Sequence, residues 1–468
     1  MLRAPFTRII VWFLAVCLWS SATFAWGPHP EITRAALDVL PNLPEIKARL
    51  GEENVNALLQ HCLLPDHRGR DLGRYYADDY LLIPAMPQHI SHVMPQVEAA
   101  FEPYFRRALQ ALRTETPTNA ARQIGPILHF VEDVGAPPHA KPNCPHHGEL
   151  ETWVRADLIR IEGYRPQLLG TNEEEALVGL RKRIEQLVAF SSERADRALA
   201  VFPDREKIEP IVLESALETT RVTADLLYTL FVLGLKEEDI PGTAALEVKI
   251  RAPALPGNNE QEPRVVLLGT PYATCAEADQ PPGDGPWVGT ARWRNLPPGT
   301  YRLVAYRPGA LLAEKEVTLG PGNLTKIDLE LSSTDPPGNL VYNPDFCLST
   351  LGVDEPDRWM ATPQRVGRVW QSAVVMLRPG KRYQLGVSVN EKEGVRVSFL
   401  LTTVPAGKPR SEGKTEQIVL WPAEGKQSPE PVEIAIAEGT GSASLTGQII
   451  TNLKPAQAVN NIWVVEQP

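Results

Sequence analysis

Apolar residues recur every three or four positions along the first half of the chain, which is the spacing of one face of an α-helix. This spacing predicts helices at 31–40, 45–64, 94–113, 120–134, 149–161, 173–190 and 208–235. After residue 240 the pattern changes to alternation of apolar and polar positions between Pro-Gly turns, which is typical of strands. The chain therefore divides into a helical first half and a β-rich second half.

The strand-like runs fall into two sets. The first set lies at 246–250, 264–268, 291–295, 296–306 and 326–331, and it predicts a small antiparallel sandwich. A Pro- and Gly-containing linker at 333–338 separates this set from a second one that ends with the run at 461–465. The predicted division is 1–25, 26–240, 243–332 and 338–468.

Residues 1–25 have the pattern of a secretory signal peptide. Arg3 and Arg8 precede a short apolar stretch, and small residues follow it up to Ala25. Cleavage after Ala25 makes Trp26 the first residue of the mature chain. We therefore expect a secreted or periplasmic protein.

Composition narrows the classes of function. The chain of 468 residues has 47 Lys and Arg against 57 Asp and Glu, a net charge of −10, which does not favour a nucleic-acid binder. Four cysteines remain after the signal peptide, and an exported location permits disulfides between them. Four cysteines allow several pairings, and the sequence does not choose among them: Cys62, Cys144, Cys275 and Cys347.

Candidate metal ligands cluster in one part of the helical region. All nine histidines lie between His29 and His147. His129 and Asp133 are four residues apart on a predicted helix, so their side chains share one face. His147 and Glu151 have the same spacing, and His139 lies between the two pairs. Imidazole nitrogens and carboxylate oxygens are ordinary zinc ligands, so these five residues predict a metal centre.

Together with Trp26, this pattern of His-x3-Asp-x5-His and then His-x3-Glu resembles the bacterial zinc-dependent phospholipase C family. The resemblance covers 26–240 and implies an all-α domain that holds three Zn²⁺ ions. It implies that Trp26 chelates one ion through its amino nitrogen and carbonyl oxygen, with His29 beside it. Asp133 is implied to bridge this ion and a second one, which is also bound by His129, Asp66 and an upstream histidine. The implied ligands of the third ion are His139, His147 and Glu151.

Some positions leave alternatives open. The upstream histidine is either His92 or His89, and His92 is preferred because a serine precedes it. His29 follows Trp26 by only three residues, a spacing nearer that of the related single-strand-specific nucleases. Position 67 is a histidine where choline-selective members have an aromatic residue, so the headgroup preference stays open. We expect His61 to be a structural residue.

The resemblance implies a secreted phospholipase C that acts on phospholipid at a membrane or micelle surface. The products are diacylglycerol and a phosphorylated headgroup, and Asp66 is expected to act as the general base. The alternatives are a zinc nuclease or 3′-nucleotidase and a non-catalytic surface-binding protein. Glu151, where the nucleases have Asp, and the acidic charge disfavour the nuclease, so nucleic acid is not the preferred partner.

The two β regions have resemblances of their own. The stretch NLPPGTYRLVAYRPG resembles the Ig-like sandwiches of carboxypeptidase-regulatory-like and collagen-adhesin repeats. The stretch NLVYNPDFCLSTLGVDEPDRWMAT resembles the start of galactose-binding and carbohydrate-binding-module-like jelly rolls. This implies a carbohydrate ligand for the last domain. Six tryptophans are candidates for a sugar platform or for core positions: Trp287, Trp293, Trp359, Trp370, Trp421 and Trp463.

Overall fold

A computed structural model describes residues 26–66, 92–235 and 240–467. Shorter gaps lie within these ranges at 256–261, 282, 284, 308, 342, 348–355, 357–358, 364–367, 373, 392, 409–411 and 423–427. The predicted signal peptide, His67 and His89 lie outside the described residues. Within the described ranges, no helix is long and apolar enough to cross a membrane.

The first region consists of helices that surround a shared apolar core. Helix α5 lies at its centre, because every residue from Asn119 to Gly135 is buried. The helices are α1 (His29–Asp38), α2 (Leu43–Leu50), α3 (Glu52–His61), α4 (Glu98–Thr114), α5 (Pro117–Gly135), α6 (Pro137–Ala140), α7 (His147–Thr152), α8 (Glu173–Ala200) and α9 (Arg205–Gly234).

Two predicted helices differ from the structure. The single helix predicted at 45–64 is divided into α2 and α3 at Gly51, whose φ of 90° lies in the region that favours glycine. The helix predicted at 149–161 ends early, at Thr152, and only a 3₁₀ turn at Ala156–Leu158 follows it. Buried Ile159 and Ile161 maintain the apolar spacing without being helical.

The first β region is a sandwich of two four-stranded sheets that share one core. One sheet has the order β4-β5-β1-β8, and the other has the order β3-β2-β6-β7. The predicted sandwich is present, and its strand pairs are antiparallel except that β1 and β8 pair in parallel. The strands are β1 (Ala244–Ala252), β2 (Arg264–Leu267), β3 (Ala273–Cys275), β4 (Glu277–Ala278), β5 (Trp287–Leu296), β6 (Gly299–Tyr306), β7 (Ala313–Leu319) and β8 (Leu324–Glu330).

The second β region packs a six-stranded sheet and a three-stranded sheet around another core. The larger sheet has the order β14-β13-β16-β10-β9, with β11 also paired to β16, and the smaller has the order β15-β12-β17. The predicted fold class, an all-α domain followed by two β-sandwich domains, is confirmed. The elements are β9 (Trp359–Pro363), β10 (Arg368–Ser372), β11 (Val375–Leu377), β12 (Arg382–Val389), β13 (Arg396–Pro405), β14 (Lys414–Trp421), β15 (Val432–Ala435), β16 (Thr440–Thr451), α10 (Pro455–Ala458) and β17 (Val459–Gln467).

The tryptophans of the β regions are mainly core residues. Five of the six candidates are buried: Trp287, Trp293, Trp359, Trp370 and Trp421. The sixth, Trp463, is half-buried and lies so close to Gly386 that a Cβ there would come within 2.1 Å of its ring. The five buried rings therefore do not form a sugar-stacking surface.

The four cysteines are free thiols. Cys62, Cys144 and Cys275 are buried and Cys347 is exposed, so the disulfides that an exported location permits are not present in this structure. Burial raises the pKa of the Cys275 thiol, which disfavours the thiolate that forms disulfides.

Helices α4 and α5 contact the first sandwich through buried charged side chains, including Arg107, which donates to the carbonyl oxygen of Ala273 at 2.7 Å. Arg107 donates to Glu115, whose other carboxylate oxygen accepts from the Thr274 hydroxyl at 2.6 Å. Arg122 on α5 donates to Glu262 at 2.8 Å. All four charged side chains are at most 2% exposed. The N-terminal half of α5 is therefore fixed to the sandwich.

Candidate metal centre

Helix α5 carries the centre of the site. Thr116 caps the helix by accepting from the backbone N–H of Asn119 at 3.3 Å, and Pro117 occupies the first turn, where a missing N–H costs nothing. His129 and Asp133 lie one turn apart near the other end of the helix. The Nδ1 of His129 donates to the carbonyl of Cys62 at 2.7 Å, which directs its Nε2 toward Asp133.

The two carboxylate oxygens of Asp133 face different neighbours. Its Oδ1 lies 3.4 Å from His29 Nε2 and 3.3 Å from His139 Nδ1. Its Oδ2 lies 2.7 Å from His92 Nδ1 and 3.0 Å from His129 Nε2. A carboxylate with imidazole nitrogens at both oxygens is arranged to bridge two cations.

The candidate ligands form three groups whose ligand atoms lie within 4.8 Å of one another. Ligand atoms around a tetrahedral Zn²⁺ are roughly 3.3 Å apart, given bond lengths of about 2.0–2.2 Å. The atoms of the third group lie closer together than this, at hydrogen-bond distance, because Glu151 Oε1 lies 2.6 Å from His139 Nε2 and 2.9 Å from His147 Nε2. The groups are His29, His129 and Asp133; Asp66, His92 and His129; and His139, His147 and Glu151.

Several of these buried atoms make no hydrogen bond of good geometry among the described residues, although some lie close to an imidazole nitrogen or a carboxylate oxygen. They are His29 Nε2, Asp66 Oδ2, Asp133 Oδ2, His139 Nδ1 and Glu151 Oε2. Buried polar atoms are almost always hydrogen-bonded, so a cluster of exceptions needs a physical reason. The atoms face one another as mixed imidazole nitrogens and carboxylate oxygens, and this is a donor set that fits metal cations.

The electrostatics keep the carboxylates ionised. Burial alone would raise the pKa of Asp133, but the imidazoles of His129, His139 and His92 hold that pKa well below its usual range. Burial opposes protonation of His139, yet Asp133 and Glu151 raise its pKa to about 10. Carboxylates are therefore present in the form that binds metal, whereas the imidazoles must release protons when a metal binds.

The candidate ligands differ in their exposure to solvent. The side chain of His147 is 37% exposed, His92 is 16% exposed and Asp66 is 12% exposed. His29 and Asp133 are at most 1% exposed. Asp66, His92 and His147 are therefore more accessible to solvent than His29 and Asp133.

Trp26 is the first described residue and lies against the centre. It is fully buried, and its ring meets that of His29 edge-on with centroids 6.2 Å apart. Residues 1–25 lie outside the described residues, so the chelate through the amino nitrogen of Trp26 stays a prediction.

Two of the histidines that the structure describes lie outside the three groups. His61 on α3 is buried, and burial together with the charge of Arg122 lowers the pKa of His61 to about 3. His146 stacks on Phe202 with ring centroids 3.6 Å apart. For His61 this agrees with the structural role expected from the sequence.

The sequence analysis missed Glu132. This residue is fully buried beside Asp133, and it contacts His29 and Thr33 on α1. A signal was present in the sequence, because His29 and Thr33 are four residues apart and share one face of a helix.

Comparisons with known proteins give distant structural likenesses. No family model and no curated protein matches the chain. Alpha toxin from Clostridium absonum is 13% identical with a TM-score of 0.35, and it covers 67% of this chain and 99% of its own. Alpha-toxin from an avian strain of Clostridium perfringens is 14% identical with a TM-score of 0.36, and it covers 63% of this chain and 96% of its own.

A third likeness is to carbohydrate-binding modules of the β-sandwich superfamily. It has 11% identity and a TM-score of 0.16, and it covers 44% of this chain and 85% of that one. TM-scores this low carry no conclusion about what the chain does.

Proposed function

We propose that this chain is an exported zinc-dependent phosphodiesterase, a phospholipase C that releases diacylglycerol from phospholipids. The observation that supports this most strongly is the position of Asp133, whose two oxygens meet imidazoles from different ligand groups. The sequence resemblance of the same residues to zinc-dependent phospholipases supplies the substrate class.

The three groups would hold the ions, with His29 and Asp133 in the first, Asp66 and His92 in the second, and Glu151 in the third. Zn²⁺ bound there would neutralise charge on a phosphodiester and acidify a water molecule at neutral pH. In the hydrolysis, the water oxygen forms a bond to phosphorus while the bond from phosphorus to the glycerol oxygen breaks. The glycerol oxygen leaves as the hydroxyl of diacylglycerol.

We propose that Asp66 accepts the proton of the attacking water. Its Oδ2 has no hydrogen-bond partner among the described residues, while its Oδ1 lies 3.5 Å from His92 Nδ1 and 3.6 Å from His129 Nε2. It lies on the accessible side of the site, whereas Asp133 is buried. We therefore assign proton transfer to Asp66 and ligand bridging to Asp133.

Two other functions have specific support and serve as outcomes of the test. A nuclease is favoured by the short spacing between Trp26 and His29, and it is disfavoured by the net charge of −10. A surface-binding protein is favoured by the two β sandwiches, and a carbohydrate ligand for the second of them stays a prediction.

The test uses signal-processed protein, reconstituted with Zn²⁺ and assayed on phosphatidylcholine and phosphatidylethanolamine micelles and on single-stranded DNA. We expect diacylglycerol release that Asp66→Asn lowers at least about a hundredfold, within the range removed with a general base. Glu149→Gln is the matched control, because Glu149 is 46% exposed and belongs to none of the three groups.

Nucleotide release without diacylglycerol would replace the proposal with a nuclease. Stoichiometric zinc without hydrolysis of either substrate would replace it with a non-catalytic binder.

A further inference from the structure

Glu132 is a buried carboxylate adjacent in sequence to the bridging aspartate. Its Oε2 lies 2.8 Å from His29 Nδ1, and its Oε1 accepts from the Thr33 hydroxyl at 2.7 Å. Glu132, His29 and Thr33 are all fully buried. Both oxygens are thus held by one face of helix α1.

Burial of a carboxylate is costly unless its partners compensate for lost hydration. Among the described residues, the partners of Glu132 are one imidazole and one hydroxyl, and no arginine or lysine forms an ion pair with it. Glu115, another buried glutamate of the helical region, pairs instead with Arg107. A fully buried carboxylate with only these two partners indicates that Glu132 has a role beyond stability.

The geometry shows what Glu132 does to His29. When Glu132 is ionised it can only accept, so in neutral His29 the proton lies on Nδ1 and the lone pair lies on Nε2. That Nε2 lies 3.4 Å from Asp133 Oδ1, and the His29 ring stacks on His129 with centroids 4.4 Å apart. Glu132 therefore fixes both the rotation of the ring and the nitrogen that faces the metal centre.

We infer that Glu132, held by Thr33, is a positioning residue that orients His29 as a metal ligand. This inference rests on the metal centre of the proposed function and does not depend on the substrate. Carboxylates hydrogen-bonded to a ligand histidine typically contribute about 10–100-fold to metal affinity. Glu132 acts only through His29.

The experiment measures Zn²⁺ affinity by competition with a chromophoric chelator, using metal-free full-length mature protein. We expect Glu132→Leu to weaken the site that contains His29 by about 10–100-fold. Glu132→Gln should have a smaller effect, because its amide oxygen still accepts from Nδ1 although the charge is lost. Thr33→Val should also have a smaller effect, because it removes only the hydroxyl that holds Glu132 and keeps the carboxylate itself. Glu31→Gln is the control, because Glu31 lies on the same helix but faces the surface groove.

A double-mutant cycle separates positioning from a general structural role. In a His29→Gln background, Glu132→Gln should cause no further loss of zinc affinity. Equal losses in both backgrounds, or wild-type affinity in every Glu132 variant, would overturn the inference. This experiment measures zinc affinity and not lipid hydrolysis, so the two proposals can fail separately. A protein that binds zinc in this experiment but releases no diacylglycerol in the lipid assay would refute the proposed function and leave this inference intact.

Discussion

The two ends of helix α5 each bury a cluster of charged side chains, and the two clusters differ in composition. At the N-terminal end, carboxylates meet guanidinium groups, as in the pairs Arg107–Glu115 and Arg122–Glu262. At the C-terminal end, Asp133 meets only imidazoles among the described residues, and none of them makes a well-directed hydrogen bond to its Oδ2.

The difference indicates how buried charge is used. A guanidinium is always charged, so the pairs at the N-terminal end neutralise themselves and hold the sandwich on the helices. Imidazoles can be neutral, so the C-terminal end becomes a set of ligands once a cation replaces their protons. One helix thereby connects a structural interface to a candidate metal centre.

The largest expected effect is a loss of folding stability, and it comes from removing a buried charge at the interface between the helices and the first sandwich. Glu115→Gln leaves Arg107 buried without its counter-charge, and loss of one member of a buried pair costs about 3–5 kcal/mol. Urea unfolding of the variant should show this loss, while zinc bound per folded chain should stay at the wild-type level.

The exposed pair Arg302–Glu314 provides the matched control. Its side chains are 62% and 38% exposed, so Glu314→Gln should cost at most about 1 kcal/mol. If Glu115→Gln lowered zinc binding as well, the two ends of α5 would not be independent.

The second-largest expected effect is a loss of zinc affinity, and it comes from removing the charge of Asp133. Asp133→Asn keeps the size of the side chain but removes the charge that faces four imidazoles. We expect zinc affinity to fall at least about a hundredfold, which is about 2.8 kcal/mol.

Calorimetry with and without Zn²⁺ measures this change, because a metal that binds only the folded state raises the melting temperature. Glu149→Gln should keep the wild-type rise. A wild-type rise in Asp133→Asn would show that Asp133 is not a ligand.

The smallest effect concerns His61, which lies between the two ends of α5 and close to Gly125. Its pKa is lowered to about 3 in the folded state by burial and by Arg122, against about 6.5 unfolded. The unfolded chain therefore gains a proton as the pH falls below 6.5, and the stabilisation present at neutral pH is progressively lost.

Between pH 7 and pH 5 the metal-free wild type should lose about 2 kcal/mol more stability than His61→Gln. Urea unfolding in the presence of a chelator measures both proteins at each pH. Equal losses would show that His61 is protonated in the folded chain.

The periodicity of apolar residues predicted most of the helices, because the buried face of a helix needs an apolar residue every three or four positions. It failed at Gly51 because Ile46, Leu50, Val55 and Leu58 are all buried on both sides of the break, so the spacing continues across a turn. The sequence pattern does not show this change of direction, which depends on a positive φ.

For the candidate site, local spacing identified the pairs His129 with Asp133 and His147 with Glu151, and the structure brings both pairs together. Glu132 was missed because adjacent residues on a helix point about 100° apart. Only the packing of α1 against α5 shows that this second carboxylate faces His29.

The central claim is that the cluster around Asp133 is a zinc centre. Elemental analysis of the signal-processed protein, reconstituted with zinc and then desalted, tests it most directly. The three ligand groups predict about three zinc ions per chain. Less than about one ion per chain after reconstitution would contradict the claim, because even one complete group of this donor set should hold Zn²⁺.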